Sequence, residues 1–195
     1  MFIKEETINQ IVIEKSKFIT YVKRVKNEAE FKEYLNQIKK KYYDASHVCS
    51  AFKSGNILRS NDDGEPSGTA GAPILNALTK NNIDEVACLV VRYFGGIKLG
   101  AGGLTRAYSS SASEALNKAT LIDEKEFSKY ELVLSYEQAN KIEHFIKTQT
   151  ILLETKYDEY ITFIFCLNNE ELIDKILEFT KGIEPKKIGT QIIEV

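Results

Sequence analysis

The sequence predicts an α+β protein of two domains, residues 1–128 and 129–195. Three observations lead there. Asp84 to Tyr93 is a nearly continuous apolar run, as expected of a central strand covered on both faces. After the polar stretch Thr120 to Ser128, strand and helix signals follow in the order β-α-β-β-α-β, the split-βαβ pattern. The balance of charge changes at the same place. Of 26 Lys+Arg and 28 Asp+Glu, residues 1–128 hold 18 and 16, which leaves 8 and 12 for residues 129–195.

Composition bounds the function classes. The chain of 195 residues has a formal net charge of −2, so no global field marks a nucleic-acid binder. Cys49, Cys88 and Cys166 are far apart and form no C-x-x-C pair, which argues against a disulfide framework or a zinc site. The first residues, Met1 to Glu6, lack the apolar core of a secretory signal. The longest purely apolar run, Val86 to Val91, is far too short to span a bilayer. A cytoplasmic protein without a membrane partner is the expectation. Nothing in the pattern fixes an oligomeric state.

Taken in order, residues 7 to 25 hold two runs with period-2 alternation, read as strands. Asn27 and Glu30 have capping-box spacing, and Phe31, Leu35, Ile38 and Tyr42 form the buried stripe of the helix that follows. Lys39, Lys40 and Lys41 suit the negative end of its dipole. His47 to Lys53 and Ile57 to Ser60 read as a hairpin about Ser54-Gly55-Asn56. A helix is expected from Ala72 to Leu78, with Pro73 tolerated in its first turn. Another should run from about Gly103 to Ala119, its inward stripe of small residues allowing close approach to a sheet. In the second domain Tyr130, Leu132 and Leu134 alternate as a strand, and Ser135 and Gln138 open a helix. Ile151 to Tyr157 and Tyr160 to Leu167 are strands about an Asp158-Glu159 turn. Asn168 or Asn169 should cap a helix that ends at Gly182, and Ile188 to Val195 is a final strand.

Two loops carry the chemistry. The first is Arg59 to Gly71, containing Asp62, Asp63 and Glu65; the second is Gly95 to Gly103. Each leads into a helix. Glycine turns at helix N-termini expose backbone N–H groups that favour phosphate or carboxylate. The candidate anion or nucleic-acid site is therefore Arg59, Arg92, Gly95, Gly96, Lys98, Gly100, Gly102, Gly103 and Arg106. It has neither the Walker A nor the dinucleotide fingerprint spacing. Tight turns that bind nothing are the competing reading. Asp62, Asp63 and Glu65 offer oxygen ligands of the kind Mg²⁺ takes. Equally, they could cap the next helix and pair with Arg59 or Arg92. His47 and Cys49 share a strand face, where a small buried cysteine beside a hydrogen-bonded histidine is expected rather than a nucleophilic pair. Ser109, Ser110, Ser111 and Ser113 lie on a helix without a nucleophile elbow.

At these loops the chain resembles the YigZ/IMPACT family, also called uncharacterised protein family 29, in its bacterial two-domain form. The segments that carry the resemblance are Asp44 to Ala51, Arg59 to Gly71 and Val91 to Gly100, continued by Gly102-Gly103-Leu104 and Arg106-Ala107-Tyr108. The likeness is strong from Lys15 to Leu116 and weaker beyond. It implies a first domain of ribosomal-protein-like α/β sandwich type, like domain IV of elongation factor G. It implies a second, ferredoxin-like domain. Eukaryotic members regulate translation through a starvation-responsive initiation-factor kinase, using an extra N-terminal domain that this sequence lacks. The family brings no established catalytic residues.

The resulting expectation is a non-enzymatic binding protein linked to translation, with RNA, the ribosome or a translation factor as partner and no cofactor. Two alternatives stand beside it. One is a metal-assisted phosphotransfer or hydrolase enzyme built on Asp62, Asp63, Glu65 and the glycine loop, with Mg²⁺ as its cofactor. The other is a scaffold that binds only protein.

Overall fold

The computed structural model describes all 195 residues. They divide into two compact units, Met1–Asp123 and Glu124–Val195. The division falls five residues before the end of the expected first domain, because Glu124 to Ser128 is not a linker. Those residues open a long strand and pair, residue by residue, with Thr190 to Glu194.

The first unit is built on a five-stranded sheet. Its strands are β2 (Thr7–Ile13), β3 (Ser16–Arg24), β4 (His47–Ser54), β5 (Ile57–Asn61) and β6 (Val86–Tyr93). They lie in the order β2-β3-β6-β4-β5, and every neighbouring pair is antiparallel. β6 is central, and Val86 to Arg92 are all buried, as a strand covered on both faces requires. A two-residue strand, β1 (Phe2–Ile3), pairs with β7 (Leu121–Ile122) and ties the ends of the unit together. Nothing in the residue pattern signals this pair, since two residues are too few to show a period.

Three helices cover the sheet. On one face lies α1 (Glu28–Lys41), capped by Asn27, whose side chain accepts from the Glu30 N–H at 3.0 Å. It buries Phe31, Tyr34 and Ile38 among Ile19, Val48, Phe52, Leu89 and Val91. Each such side chain contributes about 1.5–3 kcal/mol on burial. On the other face lie α2 (Gly71–Lys80) and α3 (Gly100–Lys118), packed on Phe18, Val22, Cys49, Cys88 and Val90. The small residues of α3, Ala107, Ser111, Ala112 and Ala115, are buried and let it lie close to the strands.

The second unit comprises β8 (Glu124–Leu134), α4 (Tyr136–Gln149), β9 (Ile151–Tyr157), β10 (Ile161–Leu167), α5 (Leu172–Thr180) and β11 (Lys186–Glu194). The strands form an antiparallel sheet of order β11-β8-β10-β9. Ser135 and Gln138 complete a reciprocal capping box at the start of α4. Leu132, Leu134, Ile142, Ile146, Phe163, Phe165 and Ile176 are the centre of a separate core. Asn169 does not cap α5. Its side chain accepts from the Glu171 N–H, two residues on, where Glu171 itself is in the capping position and the helix begins at Leu172.

Candidate functional site

The acidic loop is held by its own carboxylates. Asp62 accepts backbone N–H bonds from Gly68 at 2.8 Å, Ala70 at 3.0 Å and Gly71 at 2.8 Å. It therefore caps α2 from eight residues away, where Ala70 in the capping position has no side chain to do so. Partial burial pushes its carboxyl up, but the three N–H groups together outweigh this and leave it below the ordinary 3.8. Asp63 accepts from the Val48 N–H at 2.7 Å and from Lys39 Nζ at 2.6 Å, and it too is lowered despite desolvation. Its φ of 45° and that of Gly64, 85°, turn the chain so that Glu65 points inward.

Glu65 meets Arg92 in the interior. Arg92 follows Cys88 and Val90 at alternate positions of β6, so it faces α2 and α3 rather than solvent. Its Nη1 lies 2.5 Å from Glu65 Oε1, and the two side chains are 5% and 4% exposed. Nη2 donates to Ser16 Oγ at 3.3 Å, and the guanidinium lies 5.5 Å from the ring centres of both Phe18 and Phe94. Tyr108, from α3, donates its hydroxyl to the same Glu65 oxygen at 2.8 Å. Cys49 Sγ lies 3.0 Å from the Asp62 carbonyl and 3.3 Å from the Tyr108 hydroxyl; burial pushes its thiol up to about 12, far from nucleophilic use at neutral pH. His47 donates from Nδ1 to the Asp63 carbonyl at 2.8 Å, leaving Nε2 3.8 Å from Glu65 Oε1. Tyr108, which the sequence also offers as a stacking residue beside the glycine loop, is fully buried and serves Glu65 instead, and Ser16 was not singled out. The buried stripe of α3 held the signal for Tyr108, and Ser16 had none.

These contacts revise two of the candidate cations. Arg92 is not available to an outside anion, because it is spent on Glu65 in the interior. Arg59 lies elsewhere: its Nε bonds Glu28 at 2.6 Å, and with Asp63 it lines a groove between α1 and the β4–β5 hairpin. Nor do the carboxylates converge. Asp62, Asp63 and Glu65 point to different partners, and no three His, Cys, Asp or Glu side chains are grouped as metal ligands.

The second loop keeps the remaining candidates together. Gly95 lies against the backbone of Lys15 and Ser16, at the tip of the β2–β3 hairpin, and its N–H donates to Ser16 Oγ at 3.2 Å. Glu14 and Lys15 form that tip with φ of 45° and 63°, a strained conformation for non-glycine residues. α3 then starts at Gly100 with Leu99 in the capping position and no capping side chain, which leaves its first-turn N–H groups without an intrahelical partner or a side-chain cap. Lys98 and Arg106 are exposed and neither forms an ion pair. They line one shallow groove of about 430 Å³, together with Glu14, Gly103 and Ser110. Lys98 also edges a neighbouring cleft of about 230 Å³, floored by Glu65 and Arg92 and walled by Phe94, Leu99 and Leu104. Gly96, with φ of 85°, turns the loop, and Gly100 and Gly102 lie in the first turn of α3.

Asp62 provides a test of this frame. Asp62→Ala is expected to cost about 1–2 kcal/mol, as the loss of a helix cap does. The carboxyls of Asp62, Asp63 and Asp84 all titrate below 3.8 in the folded chain. A depressed folded pKa gives stability that is complete above the unfolded value and is lost as pH falls through the folded one. The thermal midpoint should therefore fall between about pH 5 and pH 2, and less steeply in Asp62→Asn than in the parent. A parallel fall in both would remove Asp62 from the account.

Comparison with known proteins accords with the extent of these loops. The Impact N-terminal domain family matches residues 14–116. The chain is 44% identical over 194 residues to the IMPACT family member YvyE of Bacillus subtilis, covering 96% of this chain and 89% of that one. It is 31% identical over 179 residues to the IMPACT family member YigZ of Escherichia coli, covering 87% and 88%. A crystal structure described only as that of a hypothetical protein superposes with a TM-score of 0.62 and 28% identity, over 100% of this chain and 96% of the other. The likeness thus runs through both units, and the chain belongs to the IMPACT family.

Proposed function

We propose that this chain is a non-enzymatic binding protein linked to translation, and that it contacts RNA through the groove of Lys98 and Arg106. The observation that carries the reading is the pairing state of the charged groups. Every carboxylate of the acidic loop is engaged inside the protein, while Lys98 and Arg106 are unpaired and flank the open N-terminus of α3. Such a surface suits phosphate, which a helix end and two cations can hold together. The link to translation comes from the family, whose eukaryotic members regulate it. A ribosomal-protein-like first unit and a ferredoxin-like second unit would agree with this reading. RNA on the ribosome is the natural partner for a phosphate-binding groove in such a protein.

The salt dependence of binding tests the site. Lys98→Ala/Arg106→Ala, both exposed positions, should leave the fold intact and weaken binding to single-stranded RNA. The slope of log K against log salt should flatten by about one to two units, since each phosphate contact on a single strand contributes about 0.7. A folded double variant that binds RNA like the parent at every salt concentration would remove this groove as the contact.

A further inference from the structure

The cleft beside this groove contains an acceptor that the protein does not use. Glu65 is 8% exposed, and its Oε1 takes the bonds from Arg92 and Tyr108. Its Oε2 accepts nothing from the protein. The one side-chain polar atom that is both fully buried and unbonded is Arg92 Nε, so Glu65 Oε2 keeps an opening, and the space that Glu65 lines is the cleft at the head of α3. A nearly buried carboxylate oxygen with no partner calls for a donor from outside. The wall beside it is Phe94, 49% exposed, with the Arg92 guanidinium 5.5 Å from its ring centre. Pro66, Leu99 and Leu104 make the rest of the lining apolar. At about 230 Å³ the cleft is smaller than common small-molecule pockets and has room for one planar ring system. Lys98 borders both this cleft and the groove that holds Arg106.

We propose that the cleft receives one unpaired base, guanine foremost, from a strand whose phosphates lie along Lys98 and Arg106. The proposal rests on the RNA-binding reading of the groove. Its chemistry follows from the lone acceptor. Guanine presents two adjacent donors, N1–H and the N2 amine, to a carboxylate oxygen. Adenine and cytosine present an amine beside a ring nitrogen that the carboxylate repels. Uracil presents only an imide N–H between two carbonyls. Phe94 supplies the stacking face, which every base can use.

Glu65 cannot be changed without disturbing Arg92, so the test varies the ligand. Labelled oligouridine is compared by fluorescence anisotropy with the same strand carrying one central guanosine, and with inosine in its place, which lacks the N2 amine. The full chain is used at low salt. Guanosine should tighten binding about tenfold, the effect of one hydrogen bond to a charged group, and inosine should lose most of that gain. Phe94→Ala, at an exposed position, should weaken the guanosine strand about tenfold and abolish the preference. Lys98→Ala/Arg106→Ala should instead weaken all three strands alike. Equal binding of the three strands, still dependent on Lys98 and Arg106, overturns the base pocket and keeps the groove. Binding of none of them overturns both.

Discussion

Gly95→Ala is expected to destabilise the first unit by about 3 kcal/mol or more, at the upper end of overpacking effects. A Cβ at Gly95 would fall within the van der Waals envelope of the Lys15 carbonyl group and the Ser16 nitrogen. Those are backbone atoms in a hairpin tip that already holds two residues at positive φ, so they have little freedom to give way. A unit of this size should lose on the order of 10 °C in its thermal midpoint. The control lies seven residues along, in the first turn of α3. Gly102→Ala meets only the far end of Arg106 at 3.5 Å, at a helical position where alanine is favoured by roughly 1 kcal/mol. It should be neutral or stabilising. Thermal unfolding followed by circular dichroism compares the two, and similar losses in both would show that Gly95 does not pack on the hairpin.

Arg92→Met should cost about 3–5 kcal/mol, because it leaves the Glu65 carboxylate buried beside an apolar side chain. The Tyr108 hydroxyl and His47, whose Nε2 lies 3.8 Å away, would be all that remains beside that charge. Methionine keeps much of the volume between Phe18 and Phe94, so the loss reports on charge more than on packing. Adding Glu65→Gln should then recover a large part of it, since the double variant has no buried ion. The expected sign of coupling is therefore fixed: the double variant loses less than the sum of the singles. Urea unfolding measures this through the ten tyrosines, the chain having no tryptophan. Additive losses would mean that the pair does not interact as the 2.5 Å contact indicates.

Local signals in the sequence sufficed wherever the structure is local. α1 and α4 carry their caps three residues from their partners, and β6 announces itself by composition. What the sequence concealed depends on distant partners. The start of α2 is set by Asp62, which is separated from it by a loop whose shape no propensity describes. Glu124 to Ser128 reads as polar because it lies at a sheet margin, paired to β11 and largely solvated on its faces. Lys98 and Arg106, named from the sequence for their place beside the glycines, are exposed and line one groove. Arg92 was named both as an anion-site cation and as a partner of the loop carboxylates, and its parity with Cys88 and Val90 decides for the second by assigning it to the inner face. The competing reading, in which the loop carboxylates pair with Arg59 or Arg92, is the one the Glu65 contact bears out, though the sequence did not say which carboxylate.

The central place of β6 has a consequence for the order in which the molecule can assemble. β2–β3 and β4–β5 are hairpins, each able to pair as soon as it is synthesised. Neither touches the other in the sheet; both are joined only through β6, whose partners in β3 lie about seventy residues back along the chain. Until Tyr93 has left the ribosome, the nascent chain holds two hairpins with open edges and an uncovered apolar face each. Such edges invite pairing with other chains. Closure of the sheet is thus a late, long-range event, and the glycine loop that follows β6 cannot take its shape before it.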